Sequence, residues 1–129
     1  MTGKPWVYIA SPYTHGDPAI NVRAQMEAFD ELLTMGAVPI APLHSHFQHL
    51  FRPRPYRHWI ELDLEIIQRC DACLRIDAVY RSPSGWDYRQ GESAGADAEV
   101  AEFQRLGKPV FLNTLGVSRW MHERREAPA

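Results

Sequence analysis

Four short apolar runs, each separated from the next by a helical pattern, constrain this chain more than any other feature. They are "WVYIAS" (6–11), "AVPIAP" (37–42), "ACLRIDA" (72–78) and "KPVFLN" (108–113). Each is too short for a helix and rich in β-formers, which reads as a buried strand. Pro39 lacks an N–H to donate, so the second run belongs at a sheet edge. Between the first two runs, Asp17 and Pro18 mark a helix start. Val22, Met26, Phe29 and Leu33 then recur as an apolar stripe that Gly36 closes. Further helices are expected over about 56–70, from Ser93 to Gly107, and near 117–126. Strand–helix alternation of this kind predicts an α/β three-layer sandwich. We expect a four- or five-stranded parallel sheet, flavodoxin/Rossmann-like, of order near 2-1-3-4(-5), in a single domain spanning 1–129. Ligands of such sheets bind beyond the carboxyl ends of the strands. Here those ends feed "SPYTHGD", "PLHSHF" and "YRSPSGW". The segments 43–55 and 79–92 read as long functional loops, the first with at most a short turn of helix.

With 129 residues and a formal charge of −2, the chain has material for one real core. That charge balance argues against a nucleic-acid polymer or an anionic membrane as main partner. No apolar run approaches the roughly 20 residues of a membrane span, and "MTGKPWVYIA" lacks signal-peptide anatomy. A cytoplasmic location is therefore expected. Cys70 and Cys73 lie at C-x-x-C spacing, but one ends a helical pattern and the other starts in a strand-like run. Two buried, reduced thiols are the expected outcome.

Two helices aim acids at their own cores. In "ESAGADAEVAEF" (92–103), Glu99 falls on the side of Phe103 and Leu106, while Asp97, Gln104 and Arg105 take the wet side. In "YRHWIELDLEIIQRC" (56–70), Trp59, Ile60, Leu62, Ile66, Ile67 and Cys70 share a broad face with Asp63 at its middle. An ionised carboxylate buried without partners costs several kcal/mol at least. Two readings stand side by side. An arginine (Arg23, Arg57 or Arg75) neutralises each acid, or a cleft between the two helices lets both reach one substrate. Paired carboxylates in a partly dry cleft suit cleavage of a glycosidic-type bond.

These residues carry a resemblance. The pattern S-x-G-x-x-x-E at Ser93, Gly95 and Glu99, followed by "GKPV" at 107–110, resembles the signature of the nucleoside 2-deoxyribosyltransferase-like superfamily, which includes the 2'-deoxynucleoside 5'-phosphate N-hydrolases. "ELDLEIIQRCDACLRID" is similar to its aspartate-bearing segment, with Asp63 as the aspartate. "YIASPYTHG" is similar to its first strand and loop, with Tyr13 in the place of a substrate-contacting tyrosine. The resemblance implies Glu99 as nucleophile at C1', Asp63 as positioning or proton-shuttling group, and a retaining double displacement. It implies no metal and no organic cofactor. Ser93, at a helix N-terminus, takes the place of a serine that binds a 5'-phosphate, whereas the transferases carry an acid there. Ser11, Gly95 and Arg23 complete the expected substrate contacts. A polar residue borrowed from a second subunit falls at Ser118, which implies a homodimer or higher homo-oligomer. The stretch "DYRQGE" (87–92), between Gly85-Trp86 and Ser93, departs from the family pattern and is a candidate lid.

The remaining signals are less committed. His44, His46 and His49 lie within six residues, a spacing that does not secure a closed zinc site; His46 is a candidate for a hydrogen bond to substrate. Trp86 and Tyr13 are candidates for stacking on a base, while Trp6 and Trp59 suit packing. Arg52, Arg54 and Arg57 form a basic cluster suited to a phosphate or to plain solvation. The leading expectation is hydrolysis of a (deoxy)nucleoside 5'-monophosphate. Base exchange between deoxynucleosides, and a catalytically silent nucleotide-binding module, are the alternatives.

Overall fold

Four of the short strands assemble into one parallel sheet, and side-chain alternation along them assigns the helices to its two faces. The protein is described here by a computed structural model covering residues 3–11, 18–76, 80–81, 87–88 and 94–126. Strand β1 (Trp6–Ala10) lies between β2 (Val38–Ile40) and β3 (Ala72–Arg75), and β6 (Val110–Phe111) flanks β3. The order is β2-β1-β3-β6, with every pair parallel: Val7 sits opposite Pro39 and Ala72, and Cys73 opposite Val110. Among the four strands of this sheet the order is therefore 2-1-3-4, and Pro39 occupies the edge strand.

Alternate residues point to opposite faces of a strand. Val7, Ile9, Ala72, Leu74 and Ile76 pack with Ala24, Ala28 and Leu32 of α1 (Pro18–Thr34) and with Val117 and Met121 of α5 (Thr114–Glu126). Tyr8, Ala10 and Cys73 pack instead with Ile67 of α3 (Tyr56–Arg69) and with Ala96 and Phe103 of α4 (Ala94–Arg105). The result is three layers, with α1 and α5 on one face and α3 and α4 on the other.

Local chemistry fixes the joints. Gly36 and Gly107 take positive φ (95° and 70°) just past α1 and α4, where a side chain would be strained. Ala37 N–H then returns to Leu32 O, and Lys108 N–H to Phe103 O. The Lys108 ammonium donates to two carbonyls at the end of α3, that of Ile67 (3.0 Å), which also accepts the Cys70 N–H, and that of Gln68 (2.8 Å).

Several sequence expectations need correction. Only part of the apolar stripe read along α1 faces the core: Val22 is half-buried and Phe29 packs against the core, but Met26 is 61% and Leu33 55% exposed, while Asn21, Ala24, Gln25, Ala28 and Leu32 are buried. A helix lying close on a sheet selects small residues there, and the Gln25 amide serves polar groups at the end of β1. Leu62, expected on the inner face of α3, is 44% exposed. The segment 43–55 holds a 3-10 turn (Pro42–His44) and a two-turn helix, α2 (Ser45–Phe51). The second long loop contains a two-stranded antiparallel pair, β4 (Tyr80–Arg81) with β5 (Asp87–Tyr88). The last helix starts at Thr114 rather than 117, where Asn113 Oδ1 accepts the Gly116 N–H at 2.8 Å. The proposed Asp17 cap lies outside the described residues.

Candidate active site

In a 2-1-3-4 sheet the chain winds outward from β1 in both directions, so a crevice opens between the carboxyl ends of β1 and β3. Helices α3 and α4 wall it on one side. Both begin at that edge of the sheet and run back antiparallel to the strands. Asp63 is seven residues into α3 and Glu99 five into α4. At 1.5 Å per residue that places them about 10 Å and about 8 Å along their helices from the first residue.

Glu99 is buried at 7% exposure, on the same sheet face as Ala96 and Phe103. The fully buried Tyr8, at the centre of β1, donates its hydroxyl hydrogen to Glu99 Oε2. Desolvation pushes the Glu99 carboxyl up from 4.5 to about 8. Asp63 is half-buried, its Oδ1 is sealed from solvent with no hydrogen-bond partner among the described residues, and desolvation raises it from 3.8 to about 7. No hydrogen bond joins the two acids. Helices α3 and α4 are nonetheless tied to each other through Gln68 Nε2 and Glu102 Oε1 at 3.2 Å.

None of the three arginines expected to neutralise these acids does so. Arg75 donates from Nη1 to Asp97 Oδ1 at 2.8 Å. Arg23 lies on α1, across the sheet, with Glu27 Oε1 at 3.9 Å. Arg57 is exposed in the first turn of α3. Among the described residues no cation pairs with Asp63 or Glu99. Asp97, assigned to the wet side of α4, is indeed 70% exposed, but sequence reasoning missed its bond to the strand below. It also missed Tyr8 as the partner of Glu99. The signal for Tyr8 was a polar tip inside a buried strand, which needs a partner.

A second polar bracket holds the edge of β1. Ser11 is buried at 7% exposure, and its Oγ accepts from Gln25 Nε2 at 2.8 Å. The same nitrogen reaches Ile9 O at 3.3 Å, and Gln25 Oε1 accepts the Leu43 N–H at 3.1 Å. One amide thus joins the ends of β1, α1 and the segment after β2. His44 packs its ring on Phe29 at 5.7 Å. His49 Nδ1 accepts from Trp59 Nε1 at 2.9 Å and from Arg54 N–H at 3.2 Å, which docks α2 onto α3. Among the described residues no three His, Cys, Asp or Glu side chains cluster as a metal site.

Gly95 is the second residue of α4 and half-buried, and Ser118 is exposed on α5. Tyr13, Trp86 and Ser93 lie outside the described residues, and of His46 only its place in α2 is described. Burial raises the Cys70 thiol to about 11 and the Cys73 thiol to about 12, which keeps both protonated and unreactive near neutrality. Two cavities lie away from the acids. One of about 320 Å³ is bounded by Lys4, Gly36 and Arg124 at the amino ends of the strands. A groove of about 650 Å³ runs over His58, Glu61 and Glu65 on the outer face of α3.

Fold and site define an α/β domain with two desolvated acids on the helices that cover one face of its parallel sheet. The chain matches a domain family of unknown function, DUF1937, over residues 5–115, and it belongs to that family. Comparison with curated proteins finds no match. Among the described residues no helix is long and apolar enough to cross a membrane.

Proposed function

We propose that this protein is an N-glycosidase that releases the base from a (deoxy)nucleoside 5'-monophosphate. The observation that carries the reading is the pair Asp63 and Glu99: two desolvated carboxyls on neighbouring helices, with no cation among the described residues to neutralise them. A purely structural pair would be expected to have its charge compensated. The resemblance of the Ser93–Glu99 and Asp63 segments to the nucleoside 2-deoxyribosyltransferase-like superfamily points to the same chemistry.

In this mechanism Glu99 forms a bond to C1' as the N-glycosidic bond breaks, and Asp63 hands its proton to the departing base. Asp63 then takes a proton from water, whose oxygen attacks C1' and frees Glu99. The nucleophile must be ionised, and burial works against that. The Tyr8 hydroxyl supports the anion by donating to Oε2, and positive charge growing on the sugar favours it further. Tyr13 and Trp86 would contact the sugar and base, and Ser11, Ser93 and Gly95 the phosphate end. The setting we infer is cytoplasmic, in a homo-oligomer to which Ser118 contributes across an interface.

Incubation with a panel of deoxynucleoside monophosphates and nucleosides, followed by chromatography of free bases, tests this directly. Release from at least one substrate, lost in Glu99→Ala with the fold intact by circular dichroism, is the expected result. Full activity in that variant would remove Glu99 as nucleophile. Base exchange in place of hydrolysis would make the enzyme a transferase. Binding without turnover of any substrate would leave a nucleotide-binding module.

A further inference from the structure

One buried charge has no part in the chemistry above. Arg75 is the last residue of β3 and sits opposite Ala10, the last residue of β1, at the point where the strand order turns. Only 6% of it is exposed. Its side chain leaves the sheet on the face of α3 and α4 and meets Asp97 in the first turn of α4. This pair is poorly made for a structural role. Asp97 takes one of the five guanidinium N–H donors, through one oxygen, and is itself 70% exposed. The Nε hydrogen of Arg75 is sealed from water and meets no acceptor among the described residues. A guanidinium placed to pin a helix would be expected to meet a buried carboxylate in fork geometry.

We propose that Arg75 is the anion-recognition group of the crevice, and that Asp97 is a resident counter-ion which an incoming phosphate monoester displaces. Three features converge on this. The cation stands at the edge of the sheet where ligands of such folds bind. Its donors are incompletely used, so a tetrahedral anion gains bonds that Asp97 does not make. The carboxylate it would replace is mostly in water and loses little on release. The displaced position also lies at the start of α4, where free N–H groups favour negative charge. The phosphate assignment rests on the nucleotide reading above; the anion affinity of Arg75 does not.

Thermal-shift titration with inorganic phosphate, and separately with acetate, tests the site without any turnover. Wild type is expected to be stabilised by phosphate. Arg75→Met should lose that response, and Asp97→Asn should bind phosphate more tightly because the competing charge is gone. A phosphate response surviving in Arg75→Met, or weakened in Asp97→Asn, overturns the proposal. If Arg75→Met does not fold, the direction of the Asp97→Asn change alone decides. A response to acetate equal to that to phosphate assigns the site to carboxylates and overturns the phosphate part. With substrates, Arg75→Met should raise KM for the monophosphate by about 10–100-fold and leave the nucleoside unchanged. Arg75-dependent phosphate binding without base release would retain this site and reject the glycosidase. Base release with no dependence on Arg75 would do the reverse.

Discussion

Replacing Glu99 by glutamine should stabilise this protein, and by an amount that grows with pH. A carboxyl held at about 8 in the fold and at 4.5 when exposed binds its proton more tightly in the native state. Below pH 4.5 both states are protonated and the group is neutral in its effect. As pH rises the unfolded chain ionises first, so the native state loses ground until about pH 8, where the penalty levels off. The full difference amounts to roughly 5 kcal/mol, and about 3.5 kcal/mol of it develops between pH 5 and pH 8. The amide of the Glu99→Gln variant keeps the shape and still accepts from Tyr8, but it has no charge to desolvate. Thermal unfolding of both proteins at the two pH values measures the effect. At pH 5 the midpoints should nearly coincide. By pH 8 the variant should unfold about 10 °C higher, the shift expected for a domain of this size. A gap that stays constant with pH would refute the reasoning, since Glu99 would then titrate as an ordinary exposed acid. The same gap ties stability to function, because a chain keeps so costly a group only where it is used.

Two further outcomes follow from the same pair of acids. With Glu99 ionised and Asp63 protonated in the active form, kcat/KM for base release should be bell-shaped with its maximum between pH 7 and 8. Roughly one molecule in twenty would then be correctly protonated at the optimum; an acid limb near 4.5 would contradict the burial of Glu99. Tyr8→Phe removes the donor to Oε2 and raises Glu99 further; because Glu99 already titrates above Asp63, the basic limb should move to still higher pH and the maximum fall, at a stability cost of about 1–2 kcal/mol by urea unfolding. An unmoved limb would mean that the hydroxyl does not support the anion.

The inward turn of the two acids was legible because helical period alone sets which residues share a face. Asp63 keeps the company of Ile66, Ile67 and Cys70, and Glu99 that of Phe103, whatever else the chain does. The face of α1 was misread for a related reason. Hydropathy favoured Met26 and Leu33, but contact with the sheet required Ala24, Ala28 and the Gln25 amide, and size and hydrogen bonding outweighed apolarity there. The partners of the charged groups were not legible. Arg75 chose Asp97, 22 positions away, and Tyr8 chose Glu99, 91 positions away.

The sequence by itself determined the alternation of strands and helices, the parallel sheet that it entails, the edge position of Pro39 and the two acids turned inward. These follow from local period, from chain-bound sterics and from the missing N–H of proline. Only the tertiary structure decided that neither acid meets a cation among the described residues, that Glu99 rests on Tyr8, and that Arg75 stands at the turning point of the sheet. Those outcomes depend on which distant side chains share a dry space, and desolvation is a property of the assembled layers rather than of any segment of the chain.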